Sequence, residues 1–149
     1  MSARHRLHVR VRYAETDQMG VVYHAHYLIW MEVGRTELLR TLGHPYDELE
    51  RAGLLFAVSD VRCRFPGSAR YGDTVVVTTE LAQVRSRRVT FAYDVAVENG
   101  ARAATGEVSV VALDRERRPC RIPGPLFADL QGAIRSAPAA REPRVALLA

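Results

Sequence analysis

The strongest constraint on this chain is a single long run of helical spacing set among strand patterns. Across residues 22–42, Tyr27, Met31, Gly34 and Leu38 recur as one stripe, widened by Trp30 and Leu42. Gly43 and Pro45 then supply a stop. Residues 54–113 instead read as strand throughout. One helix cannot bury its own stripe, so that stripe must lie against a sheet face, which predicts an α+β domain. Gly34 sits on the stripe, where glycine costs up to ~1 kcal/mol relative to alanine. Its presence there predicts a close approach of helix to sheet.

The remaining elements follow from periodicity and turn residues. Leu7, Val9, Val11 and Tyr13 alternate with His8, Arg10 and Arg12, predicting a half-buried strand ahead of the helix. Residues 14–21 read as a polar loop through Gly20, and residues 46–51 as a short second helix. Val61, Cys63 and Phe65 alternate with arginines until Pro66-Gly67, and Gly72-Asp73 opens another strand over residues 74–81. Val89, Phe91, Tyr93, Val95 and Val97 share a face. Asn99-Gly100 then predicts a type I′ hairpin turn into a strand over residues 102–113. A charged turn at 114–118 and a last helical segment within 123–134 complete a single domain over residues 1–135. Residues 136–149, rich in Ala, Pro and Arg, read as a flexible tail.

Composition narrows the function classes. At 149 residues and 48% hydrophobic content the chain suits one folded domain rather than a disordered one. No apolar run approaches the ~20 residues of a membrane span. The polar, basic N-terminal residues do not resemble a secretory signal. Cys63 and Cys120 lack metal or redox spacing, so a reduced cytoplasmic setting is expected. The net charge is +4, and all 21 basic residues are arginine. Acidic residues interrupt them and aromatics do not interleave with the basic segments, which disfavours nucleic acid as a partner.

The chemistry concentrates in Tyr13-Ala-Glu-Thr-Asp-Gln-Met-Gly-Val-Val-Tyr-His-Ala-His-Tyr27. Here a strand ends, an acidic loop turns through a glycine, and the long helix begins. A helix start offers unpaired N–H groups and partial positive charge, suited to an oxygen that becomes anionic during reaction. Asp17 lies a few residues before it. A carboxylate beside an oxyanion site is a minimal kit for hydrolysing an activated acyl group. Thioesters suit it because a thiol, with a pKa of about 8.5, leaves as thiolate without strong acid assistance. Asp17 could attack the carbonyl or deprotonate a water.

This motif resembles that of the 4-hydroxybenzoyl-CoA thioesterase family of hot-dog-fold acyl-CoA thioesterases, closest to the Tol–Pal-associated short-chain branch. The likeness extends over residues 10–130 and includes Pro66-Gly-Ser-Ala-Arg-Tyr-Gly-Asp73. It implies an antiparallel sheet of about five strands wrapped around one long central helix. It also implies Asp17 as the catalytic carboxylate and the backbone N–H of His24 as oxyanion donor. Gly20 and Val21 would shape the substrate loop, with Tyr23 beside them, and Arg85, Arg87 and Arg88 would meet the phosphates of coenzyme A. Homodimers or homotetramers with active sites at the subunit interface follow from the same resemblance, with no metal and no bound cofactor.

Each assignment has a plainer reading. Asp17 could merely cap a loop, and Glu15 reads as a solvated or arginine-paired carboxylate. His24 and His26, two apart on a helix, point to different faces and cannot chelate one metal. Tyr23, Tyr27 and Trp30 suit core or interface packing, and Cys63 reads as apolar filling. Glu32 with Arg35 and Glu37 with Arg40 fit surface pairs. The arginines at 85, 87 and 88 could form a solvated turn. The rival function is a hot-dog module that binds acyl-CoA or a protein without catalysis, against which the carboxylate at 17 argues.

Overall fold

The computed structural model describes residues 3–134; the tail expected at 136–149 lies outside the described residues. Five strands, β1 (Arg4–Arg10), β2 (Leu55–Arg64), β3 (Thr74–Val84), β4 (Arg88–Val97) and β5 (Arg102–Leu113), form one antiparallel sheet in the order β1-β3-β4-β5-β2. The long helix α1 (His24–Thr41) packs on β1, β3 and β4. Two short helices, α2 (Tyr46–Arg51) and α3 (Gly124–Gly132), follow α1 and β5 respectively. The expected α+β arrangement, a sheet around one central helix, is the one found.

The core is the meeting of two periodicities. Val75, Val77, Val89, Phe91 and Val95 turn inward on alternate positions of β3 and β4, against Tyr27, Met31 and Leu38 of α1. Gly34 is where helix and sheet come closest. A Cβ there would overlap Thr79 Oγ1, with Val77 Cγ1 at 3.5 Å. The predicted tight approach is therefore present, with a buried hydroxyl facing the glycine.

Three local expectations are corrected. β1 ends at Arg10, three residues early, because the Val11 carbonyl is taken by the Gly72 N–H and not by that of Asp73, which breaks the ladder, and the chain then turns through a 3-10 turn, Tyr13–Glu15. Tyr13 consequently leaves the inward face and is 79% exposed. Asn99-Gly100 does not form a type I′ turn, which would need positive φ at both residues. Among the described residues Gly100 has φ +99° while Arg117 is the only non-glycine with positive φ. Gly100 donates to the Val97 carbonyl and Val97 to that of Ala101, so the loop is a three-residue type I turn closed by a left-handed glycine. Among the described residues Arg35 forms no ion pair with Glu32, while Glu37 and Arg40 do meet, at 3.4 Å. Burial pushes the Tyr93 pKa up to about 12, with the Arg35 cation opposing.

The direction of each strand sets two distinct ends of the sheet. Arg10, Arg64, Thr74, Val97 and Arg102 lie at one end, where α1 also begins. Leu55, Val84, Arg88 and Leu113 lie at the other. The 11 residues of β3 separate the ends by about 33 Å at ~3.3 Å per residue.

Candidate active site

The loop between β1 and α1 folds back on itself. Thr16 bridges Val22, the Asp17 N–H donates to the Val21 carbonyl at 2.9 Å, and the Gly20 N–H donates to the Asp17 carbonyl at 2.9 Å. Gly20 has φ +76° with open space where a Cβ would stand, so the backbone angle, not crowding, calls for glycine. Asp17 Oδ1 accepts the Met19 N–H at 2.8 Å, which orients the half-buried carboxylate within its own turn.

The same fold-back delivers the chain into α1. Val22 is buried and extended, and its N–H donates to the Ala69 carbonyl. Tyr23 is the N-cap, with its N–H given to the Glu15 carbonyl at 2.9 Å and no side-chain cap. Among the described residues nothing accepts from the N–H of His24 or Ala25, whereas His26 N–H is taken by the Tyr23 carbonyl. Two free donors at a helix start therefore stand beside the Asp17 loop, with no acidic side chain in the first turn. The expected pairing of carboxylate loop and helix start is brought together.

The second motif, residues 66–73, braces this arrangement. The Ala69 N–H donates to the Tyr27 hydroxyl at 3.1 Å, Asp73 Oδ2 accepts the Arg70 N–H, and Gly72 N–H returns to the Val11 carbonyl. Gly67 admits the Arg102 carbonyl, which a Cβ would displace. Burial raises the Tyr27 pKa, so its hydroxyl stays protonated and accepts through a lone pair. Tyr27 and Trp30 are core, edge to face at 5.3 Å. Tyr23 is not core; it is 45% exposed, with its ring 4.5 Å from that of His24, at the mouth of the loop.

Glu15 is the residue that sequence reasoning undervalued. It is 3% exposed, so of its two plain readings the solvated one fails and the arginine-paired one holds, with Arg12 Nε at 3.4 Å. Its Oε1 accepts the Arg12 N–H at 2.8 Å and its Oε2 accepts the Trp30 indole N–H at 2.9 Å. Burial acts to raise its pKa, but the Arg12 N–H, the indole and the Arg12 guanidinium outweigh it and hold the carboxyl below its ordinary value. A tryptophan on the helix stripe near its start, needing a partner for its N–H, was the available signal.

Arg85, Arg87 and Arg88 are not near Asp17 within the chain. They occupy the β3–β4 turn at the opposite end of the sheet. There Arg88 pairs with Asp60, and the Ser86 and Arg87 carbonyls accept the N–H groups of Ile122 and Ala112. Arg85 and Arg88 line a groove of about 520 Å³ with Arg62, Asp60 and Glu107 on the face away from α1. Cys63 is half-buried, 3.9 Å from Met31 Sδ, and burial raises its thiol pKa, consistent with filling and not with a nucleophile. Among the described residues no three His, Cys, Asp or Glu side chains gather to hold a metal ion. Likewise no helix is long and apolar enough to cross a membrane.

Residues 11–134 match the thioesterase-like superfamily. The chain belongs to that superfamily. It is 40% identical over 108 residues to YneP of Bacillus subtilis (strain 168), a named candidate acyl-CoA thioesterase, covering 72% of this chain and 78% of that one. It is 30% identical over 124 residues to the acyl-CoA thioester hydrolase YbgC of Escherichia coli O157:H7, covering 83% and 92%. Among solved structures, the DHNA-CoA thioesterase of Staphylococcus aureus superposes with a TM-score of 0.80 at 30% identity, over 87% of each chain. The hot-dog resemblance stated for the sequence thus holds for fold and family.

Proposed function

We propose that this protein is an acyl-CoA thioesterase that hydrolyses an acyl-CoA thioester to the free acid and coenzyme A. The feature that supports the reading is the fold-back of the loop bearing Asp17 onto the start of α1, through the Asp17–Val21 and Glu15–Tyr23 backbone hydrogen bonds, where the N–H groups of His24 and Ala25 have no acceptor among the described residues. These donors hold the thioester carbonyl oxygen and stabilise it as it becomes an oxyanion. Asp17 either attacks the carbonyl carbon or takes a proton from an attacking water; collapse of the tetrahedral species expels thiolate, which is later protonated to coenzyme A, and in the first route water then hydrolyses the Asp17–acyl anhydride to release the acid and restore the carboxylate. Relatives named for acyl-CoA hydrolysis support the substrate class.

The working unit is an oligomer, a homodimer at least, in the cytoplasm. β2 is an edge strand of 10 residues whose neighbourhood is apolar and open: Val58, Val61 and, from α1, Ile29 are each about half exposed. Long exposed apolar edges call for a cover. Two β2 strands paired antiparallel about a two-fold axis would join the sheets end to opposite end. The partner's Arg85–Arg88 turn then stands at the same end of the joint sheet as this protomer's Asp17. That reconciles a basic turn at the far end of this chain's sheet, a β3 length of about 33 Å away, with a single elongated ligand, the acyl end at one chain and the phosphates at the other.

The test is Asp17→Asn assayed for thiol release across a panel of acyl-CoAs. Turnover should fall at least about 100-fold while circular dichroism and oligomer size stay unchanged. Near-normal turnover in the variant overturns the reading.

A further inference from the structure

We propose that Glu15 is a positioning residue for the reaction, its buried carboxylate tying the Asp17 loop to α1 at a second point, two turns beyond the helix start. The proposal rests on the reading of Asp17 and the helix N–H groups just given. Glu15 meets the helix twice. Its carbonyl accepts the N–H of Tyr23, the N-cap, and its Oε2 accepts the indole N–H of Trp30. One contact alone would leave the loop free to pivot about the helix start; two contacts along the axis remove that freedom. Oε1 meanwhile accepts the Arg12 N–H and closes the turn from which residues 16 and 17 depart. The chain from Trp30 through Glu15 to Asp17 thus fixes the carboxylate relative to the His24 and Ala25 donors.

The burial makes the assignment more than a structural brace. Arg12 is the nearest cation, with Nε at 3.4 Å from Oε1, and its side chain is mostly exposed. A carboxylate taken out of water against so partial a counter-ion is costly, and an apolar pair would pack the same space more cheaply. What an apolar pair cannot do is fix direction, because only hydrogen bonds set both distance and angle. A misplacement of about 1 Å at a reacting centre can cost on the order of 100-fold in rate. Glu15 touches neither substrate nor reacting atoms; it acts through Asp17 and the helix start.

Glu15→Gln tests this with little change in volume. Its carboxamide can accept one N–H but must turn an NH₂ toward the other donor, so one of the two ties breaks. The expected result is a folded oligomer whose kcat falls about 10- to 100-fold with KM within about 3-fold. Trp30→Phe removes the opposing donor, so adding Glu15→Gln to it should lower kcat less than a third as much as in the native background. Leu130→Ala, a buried truncation on α3 outside the loop and α1, serves as a control of lowered stability with kcat retained. Native kcat in Glu15→Gln, multiplicative losses in the double variant, or an equal kcat loss in Leu130→Ala overturns the proposal while Asp17→Asn remains inactive. An active Asp17→Asn instead overturns the site reading and this inference together.

Discussion

Replacing Gly34 by alanine sets two opposing effects against each other. On helix propensity alone, Gly→Ala in a helix interior should stabilise by about 1 kcal/mol. Here the added methyl would overlap Thr79 Oγ1 and touch Val77 Cγ1. Thr79 is fully buried and β-branched, so it has little room to rotate away, and α1 must lift from the sheet. Overpacking a core by one methyl costs about 1–3 kcal/mol. The net expectation is a loss of up to about 2 kcal/mol, read as a lower urea midpoint at fixed protein concentration. The buried Thr79 hydroxyl has no partner, so Thr79→Ala loses a methyl contact but also relieves an unsatisfied group, leaving it within about 1 kcal/mol of native. Combined, Thr79→Ala makes space for the new methyl and should recover at least about 1 kcal/mol relative to Gly34→Ala. A more stable Gly34→Ala, or strictly additive single changes, would refute the argument that this contact sets the helix–sheet distance.

Gly20→Ala must hold an L residue at φ +76°, costing about 1–2 kcal/mol and loosening the Asp17 turn, so turnover should fall more than stability; an unchanged kcat would contradict the loop's role. Mixed oligomers of an Asp17→Asn chain and an Arg87→Ser, Arg88→Ser chain should regain turnover at one site per dimer, measured after co-refolding. No recovery would separate the basic turn from the partner's site. Acid titration of stability probes Glu15: its folded pKa lies below the ordinary value, so its contribution is complete above that value and is lost as pH falls through the folded one. The stability gap between native protein and Glu15→Gln should therefore shrink between about pH 7 and pH 3; a gap that widens on acidification would reverse the sign.

The architecture was readable because α1 and the strands carry clean, different periods, and Gly34 announced its own contact. The boundaries were less so. Tyr13 continues the alternation of β1 in sequence, but the off-register bond from the Gly72 N–H, 61 positions away, to the Val11 carbonyl ends the strand first. Asn99-Gly100 carries the residues of one turn and forms another because Glu98 joins the loop. In the proposed site, the loop through Asp17 and Gly20 and the helix start that follows it were legible as local structure. Glu15 was not, since its burial depends on Trp30 two helical turns further on, and linear spacing does not reveal which neighbour an indole N–H will find. The arginine turn was placed correctly between β3 and β4, but its remoteness from Asp17 is a property of strand direction, visible only once the register is known.

The length of β3 and β4 then carries a meaning beyond packing. On the shared-site reading, these strands are a ruler: they set the span by which the basic turn of one subunit reaches toward or past the end of the joint sheet where the other's reacting group lies. Inserting one residue pair into both strands would extend that span by about 7 Å without altering any side chain at either end. Discrimination by overall ligand length would then be written into backbone dimensions, and could drift by hairpin growth while the chemistry stayed fixed.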